Sequence, residues 1–147
     1  MCKFYERYDF LRPAQSVLNA AARLKHRSSQ YEHVTPILRD LHWLWSPGRI
    51  DFKLAVLVYR CLHGLALWYL SNYIQHVADS NHRRLRSSSY SQLVIRRTRL
   101  STVGDRAFSV AGIRLWNSLS PDVTSAPTLT ALRNRLKTYL FSRSFPS

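Results

Sequence analysis

The sequence has few cysteines and few glycines, and each shortage excludes a class of protein. Two cysteines in 147 residues, Cys2 and Cys61, cannot build the disulfide framework of a small secreted domain. Four glycines cannot supply a glycine-rich loop that binds phosphate through its backbone amides. We therefore expect two free thiols in a reducing compartment, which makes the chain intracellular, either cytoplasmic or nuclear.

Acidic residues are also scarce, which bears on catalysis. Only eight side chains are acidic, and no two of them are adjacent or separated by one residue. The sequence therefore offers no close carboxylate pair for two-metal phosphoryl transfer. The six histidines are scattered, without the H-x-x-x-H spacing or the nearby cysteine pair that binds zinc. We expect no catalytic residue, no metal site and no cofactor, so the chain is predicted not to be an enzyme.

A signal peptide and a long apolar run are missing as well. The first ten residues carry charges of both signs, unlike a secretory signal, and residues 1–11 are predicted to be poorly ordered. The apolar runs are far shorter than the roughly 20 residues that span a bilayer. We expect no membrane partner and no small-molecule substrate, and the sequence leaves the oligomeric state open.

Apolar residues at helical spacing are abundant. The stretch from Ile50 to Gly64 is apolar on nearly every side, and Gly64 can adopt the left-handed conformation that ends a helix. Such a helix must be buried among several neighbours. Ser46-Pro47-Gly48 before it is a turn signal. The predicted fold class is mainly α, a small helical domain over residues 12–145 around one buried central helix.

Other helices are predicted on both sides of the central helix. They are Arg12–Lys25, Ile37–Leu41, a short helix after Gly64 that packs Leu67, Leu70 and Ile74, Arg106–Leu119, and Leu129–Phe141 capped by Thr128. The polar residues 78–92 are predicted to form a basic loop, and the alternation near residues 93–103 favours a short β-hairpin.

Three of these helices have a predicted buried face. The faces are Val17, Ala20, Ala21 and Leu24 in Arg12–Lys25, Phe108, Ala111, Leu115 and Leu119 in Arg106–Leu119, and Leu129, Leu132, Leu136, Tyr139 and Leu140 in Leu129–Phe141. In the last helix Arg133, Arg135 and Lys137 are predicted to line the opposite side. Trp116, beside Leu115, is predicted to anchor the core of the C-terminal half, because an aromatic side chain at helical spacing is more often buried than exposed.

Positive charge is concentrated in the second half of the chain. The net charge is +14. Residues 1–79 contain 10 basic and 6 acidic side chains, a net charge of +4, whereas residues 80–147 contain 12 and 2, a net charge of +10. A large polyanion is the simplest partner for such a surface, although a solvated basic surface without a partner stays open.

Arginine dominates this positive charge. Seven arginines and no lysine lie between residues 83 and 106, with Asp105 as the one acid there. The guanidinium group binds phosphate through two parallel hydrogen bonds and stacks on bases, which favours RNA or DNA. The candidate nucleic-acid-binding residues are Arg83, Arg84, Arg86, Arg96, Arg97, Arg99 and Arg106, extended by Arg133, Arg135 and Lys137 on the last helix.

Several blocks of the sequence resemble a known family, in order and at similar spacing. They include N-A-A-A-R-L from Asn19, H-V-T-P-I-L-R-D-L-H-W-L from His33, R-I-D-F-K-L-A-V-L-V-Y-R-C-L-H-G-L-A from Arg49, R-T-R-L-S-T-V-G-D-R-A-F-S-V-A from Arg97 and R-L-W-N-S-L from Arg114. These blocks are similar to the extreme C-terminal region of the reverse-transcriptase polyprotein of LINE-type (non-LTR) retrotransposons.

This resemblance implies a fragment without the catalytic parts of its parent. The parent polyprotein, an RNA-directed DNA polymerase, carries an endonuclease and a polymerase with an aspartate pair, and neither is in this sequence. The resemblance implies a non-catalytic accessory domain that holds template RNA or target DNA. The alternative is a structural packing module, or a decayed remnant with no function of its own.

Overall fold

The fold is mainly helical. A computed structural model describes residues 11–75, 92–95, 97 and 104–146, and most of them are in helices. The helices are α1 (Arg12–His26), α2 (Val34–Asp40), α3 (Ser46–Leu62), α4 (Trp68–Ser71), α5 (Phe108–Ser118), α6 (Pro121–Thr124) and α7 (Leu129–Ser144). The mainly α fold class is therefore confirmed.

The predicted β-hairpin does not form where its residues are described. Leu93 to Ile95 and Arg97 are not in a strand, and no sheet occurs in the described ranges. The Leu93 backbone N–H instead donates a hydrogen bond to the Asn117 side chain of α5. The rest of the predicted hairpin, the predicted basic loop up to residue 91 and residues 1–10 lie outside the described residues.

The residues of the chain form two compact units, each with most of its contacts within itself. The first takes its described residues from 11–50 and 138–146, and the second takes its described residues from the range Asp51–Lys137. Helices α3 and α7 therefore contribute residues to both units. Because compact units can be subdivisions of one domain, the single domain over 12–145 stays a prediction.

The first unit is built around a small apolar core. Its buried members are Ala22, Ile37, Leu38 and Phe145, with Leu18, Val34, Leu41, Trp43, Trp45 and Phe141 packed around them. The Trp43 ring also lies under two cations, Lys25 Nζ at 5.7 Å and the Arg49 guanidinium at 5.5 Å from the ring centroid. Cation–π contacts of this kind hold an aromatic side chain in place at the border of a core.

The predicted buried face of α1 is wrong. Val17 and Leu24 are 71% and 82% exposed, and Ala20 and Ala21 are exposed as well. The helix buries the neighbouring stripe, in which Leu18 and Ala22 are one turn apart. Because residues 20–22 are all alanine, both neighbouring stripes of the helix contain apolar residues. The apolar periodicity therefore could not show which of these two stripes is buried.

Helices α2 and α3 both begin earlier than predicted. The helix Ile37–Leu41 was predicted with Pro36 at its first position, and Ser46-Pro47-Gly48 was predicted to be a turn. In the structure Pro36 and Pro47 lie inside the first turns of their helices. An N–H in the first turn has no acceptor within its own helix, so proline loses nothing there. The sequence signal was a helix start rather than a turn.

The second unit packs α3 against α5 at a glycine. A Cβ atom placed on Gly112 would lie 3.1 Å from Cγ2 of Val58, so the two helices approach closely at this point. Val110, Ile113 and Trp116 are buried on the same helix. The predicted face of Phe108, Ala111 and Leu115 is only half-buried, since the close approach at Gly112 fixes which side of α5 turns inward. Leu119, just after α5, is buried as predicted.

The ends of three helices can be compared with their predictions. Gly64 has a φ of +68°, so the predicted left-handed end of α3 is confirmed, although α3 stops at Leu62. The Thr128 hydroxyl accepts a hydrogen bond from the Ala131 N–H at 3.1 Å, which confirms the predicted cap of α7. At α4 the prediction is wrong for Leu67, which is exposed because it precedes the helix in extended backbone.

Candidate nucleic-acid interface

The ten predicted binding residues divide into two groups. Five of them, Arg83, Arg84, Arg86, Arg96 and Arg99, lie outside the described residues. The other five, Arg97, Arg106, Arg133, Arg135 and Lys137, are described, and all of these belong to the second unit.

A side-chain amide of α5 holds the backbone just before Arg97. The Leu93 N–H donates to Asn117 Oδ1 at 2.9 Å, and Asn117 Nδ2 donates to the Leu93 carbonyl at 2.9 Å. The Asn117 amide thus pairs with both backbone polar groups of Leu93, as a residue of a neighbouring strand does in an antiparallel β-sheet. The Leu93 side chain is buried. This pair of hydrogen bonds, which we call the Asn117 clamp, fixes the chain four residues before an exposed arginine.

The chain also closes on itself beside the Asn117 clamp. The Val94 N–H donates to the Gln75 carbonyl at 3.0 Å. Gln75 and Val94, which flank in the sequence the stretch that contains Arg83, Arg84 and Arg86, are therefore in direct contact. Arg97 follows three residues after Val94.

Of the four cations of α7, the three that belong to the predicted site differ in their environments. Arg133 and Lys137 are exposed and one turn apart on the same face, and neither forms an ion pair with the described residues. Arg135 lies on another face, where its Nη1 is 3.5 Å from Asp122 Oδ1 and donates to the Asp122 carbonyl at 2.6 Å. Of these three cations, Arg133 and Lys137 are thus the ones available to a phosphate group.

Arg114, which is not one of the predicted binding residues, also forms an ion pair within the chain. Arg114 Nη1 is 3.1 Å from Asp105 Oδ2. Asp105 is the one acid in the arginine-rich part of the sequence, and Arg114 neutralises it in part. Arg106 is exposed, and it also interacts within the chain.

Chemically reactive groups are sparse in the described ranges. No three His, Cys, Asp or Glu side chains there are grouped so that they could hold a metal ion. Burial raises the pKa of the Cys61 thiol above its ordinary value, and a hydrogen bond from Ser71 offsets part of that rise. A raised pKa keeps the sulfur as the weakly nucleophilic thiol at neutral pH.

Membrane insertion is not suggested by the helices. None in the described part of the chain is both long and apolar enough to cross a bilayer.

Two features of this region were not predicted from the sequence. The Asn117 clamp has no sequence signal, because an asparagine inside a helix is ordinarily solvated. In the short helix after Gly64, Leu67, Leu70 and Ile74 were predicted to pack beneath the core, yet Leu67 is 60% exposed, and the adjacent Trp68 and Tyr69 are 75% and 48% exposed. The sequence did contain a signal for this exposed aromatic group. Trp68 and Tyr69 lie in a short segment between Gly64 and a polar stretch, which leaves little room for a buried helix.

The Asn117 clamp provides a direct test of this geometry. Replacing Asn117 by alanine leaves the Leu93 N–H and carbonyl without their partner, and we expect the free energy of unfolding to fall by about 1–3 kcal/mol. Urea unfolding followed by circular dichroism measures this change. The neighbouring exposed Ser118→Ala is the matched control, and an equal loss in both variants would contradict a special role for Asn117.

Comparisons with known proteins identify no relative. The chain matches no protein-family model, no curated protein and no solved structure.

Proposed function

We propose that this chain binds RNA or DNA through phosphate contacts of its arginine-rich segment and of Arg133 and Lys137, as a non-catalytic accessory domain. The single observation that carries the proposal is the exposure of Arg97, Arg133 and Lys137 without ion pairs to described residues, in a chain of net charge +14. Unpaired arginine and lysine side chains are the groups that displace counterions from a phosphate backbone.

Sequence-independent recognition follows from the kind of contact. Phosphate contacts fix the position of a nucleic acid and carry no base information, whereas specificity needs a rigid array of side chains that reaches base edges. The described cations are separate, on α7 and on the chain after the Asn117 clamp. Affinity is therefore expected to depend strongly on salt and weakly on sequence.

The family resemblance agrees with this proposal. The LINE-type polyprotein it points to is an RNA-directed DNA polymerase, whose substrates are template RNA and target DNA. A basic C-terminal domain with no catalytic residues of its own would contribute by holding one of these substrates.

A structural packing module is the second candidate, and two contacts favour it. Arg135 and Arg114 are bound to Asp122 and Asp105 within the chain, so part of the positive charge stabilises the second unit itself. Under this alternative, which includes a decayed remnant, no individual arginine would control binding.

A salt titration of RNA binding separates the two candidates. Each phosphate contact with a single strand contributes a slope of roughly −0.7 to a plot of log affinity against log salt. In the double variant Arg133→Ala, Lys137→Ala we expect the slope to become shallower by about 1.4, and the affinity at about 0.1 M salt to fall about 25-fold. Fluorescence anisotropy with a labelled 20-nucleotide RNA measures both.

The matched control removes the same charge from engaged arginines. The double variant Arg114→Ala, Arg135→Ala also lowers the net charge by two, but its guanidinium groups are bound to Asp105 and Asp122. Its slope should change by less than about 0.5. Equal slopes for the two double variants would mean that net charge alone governs binding, which would contradict a defined interface.

A further inference from the structure

Large apolar side chains are exposed along residues 65–73, directly before the arginine-rich segment. They are Leu65, Leu67, Trp68, Tyr69 and Tyr73. Single exposed apolar residues are common on protein surfaces, whereas a contiguous group marks a contact with another molecule. Three members of the group are aromatic, and we call Trp68, Tyr69 and Tyr73 the aromatic cluster.

The residues of the aromatic cluster are exposed to solvent, Trp68 most of all. The Trp68 and Tyr69 rings meet edge to face, with centroids 6.2 Å apart and an interplanar angle of 86°. In this arrangement one edge covers one face, and Trp68 is still 75% exposed. A planar group can therefore stack on the indole without displacing the tyrosine.

Hydrogen bonds hold the backbone of the aromatic cluster on both sides. Before it, the Leu65 N–H donates to the Arg60 carbonyl at 2.7 Å. After it, the Gln75 carbonyl accepts from Val94. The backbone two residues after Tyr73 is thus held next to Val94, which precedes Arg97 by three residues in the sequence.

Charge identifies the chemical class of the partner. From residue 52 to residue 104 the sequence contains eight basic side chains and a single acid, Asp79. Arg60, eight residues before Trp68, and Arg97, three residues after Val94, are both exposed. Aromatic and arginine side chains also occur at protein interfaces. Here, however, the charge selects a polyanion, and a polyanion with free planar groups is a nucleic acid with unpaired bases.

The geometry points to a single-stranded nucleic acid whose bases stack on Trp68 and its neighbours while the exposed Arg60 and Arg97 contact its phosphates. This inference rests on the proposed function and adds to it the strandedness of the substrate. Stacking accepts every base, because each base has a flat aromatic face, so it adds affinity without sequence preference. Bases in a duplex are already stacked on one another and gain nothing from the aromatic cluster.

The experiment compares single strands with duplexes of equal length. In Trp68→Ala the affinity for a 20-nucleotide poly(U) RNA should fall about tenfold at constant salt, because one stacking contact is lost. The affinity for a 20-base-pair RNA duplex and the salt slope should not change, since no phosphate contact is removed. Trp68→Phe, which keeps a ring, should recover most of the affinity.

Two further variants serve as matched controls. Tyr31→Ala removes an exposed tyrosine of the first unit, and it should leave binding unchanged. Leu67→Ala removes apolar surface beside Trp68 without removing a ring, and it should also have little effect. An equal loss in Leu67→Ala and Trp68→Ala would indicate a general apolar contact and would overturn the stacking inference.

The remaining outcomes distinguish this inference from the proposed function. If the parent chain binds RNA with an arginine-dependent salt slope but Trp68→Ala binds poly(U) equally well, the stacking inference is wrong and the proposed function stands. If the parent chain shows no salt-dependent binding, both fail. If sedimentation velocity shows a dimer that Trp68→Ala dissociates, the cluster is an interface between two copies, which also overturns stacking.

Discussion

Trp116→Ala is expected to lower the free energy of unfolding by about 3–5 kcal/mol, the range for deleting a buried tryptophan. Trp116 is 3% exposed and lies in the core of the second unit. Its ring centroid is 6.4 Å from that of Tyr59, whose hydroxyl donates to the Ala126 carbonyl at 3.2 Å. Removing the indole leaves a cavity that these anchored neighbours cannot fill.

Urea unfolding followed by circular dichroism measures this loss without relying on the deleted fluorophore. Trp68→Ala is the matched control, because it removes the same side chain from an exposed site, and its stability should change by less than about 0.5 kcal/mol. Trp116→Phe should lose less than Trp116→Ala, since a smaller cavity remains. A loss under about 1 kcal/mol in Trp116→Ala would mean that this side chain does not anchor the core.

Trp116 also shows which parts of the fold can be predicted from the sequence. The existence of α1, α3, α5 and α7 followed from apolar periodicity, and the buried position of Trp116 followed from the same pattern. The orientation of a helix is harder to predict, because neighbouring stripes often contain similar residues. In α5 the close approach at Gly112 decides the orientation, and a close approach is a property of two elements together.

Less of the candidate interface than of the fold could be predicted from the sequence. Composition alone identifies the cations. It does not show that Arg135 is bound to Asp122, whereas Arg133 and Lys137 lie on a different face of α7 and are not. That distinction depends on a contact between residues 13 positions apart. The Asn117 clamp joins residues 24 positions apart and was beyond any local pattern. Long-range contacts therefore determine which cations of this chain are available.

The two proposed kinds of contact make separable contributions to binding. Phosphate contacts release counterions, so they set the slope of affinity against salt. Stacking on the aromatic cluster releases none, so it changes the affinity without changing the slope. A variant that alters the slope thus reports on arginine, and one that alters only the affinity reports on Trp68.

The largest effect on binding is expected from the triple variant Arg96→Ala, Arg97→Ala, Arg99→Ala. Arg97 is exposed, and its chain is fixed by the Asn117 clamp at Leu93. Losing three phosphate contacts should make the salt slope shallower by about 2, three times roughly 0.7, and should weaken binding about 100-fold at about 0.1 M salt. Two unrelated 20-nucleotide RNAs should lose affinity about equally, because phosphate contacts carry no base information.

A triple variant of equal charge provides the control. Lys25, Arg39 and Lys53 are exposed and lie outside the predicted site, and replacing all three by alanine also lowers the net charge by three. Long-range attraction falls equally in both variants, but only the arginine variant removes the proposed contacts. The proposal requires a larger change in the salt slope in the arginine variant than in the control variant. Circular dichroism checks that both variants are equally folded. If the control changes the slope as much, the arginines act only as part of the overall charge, and the structural packing module is the better account of this chain.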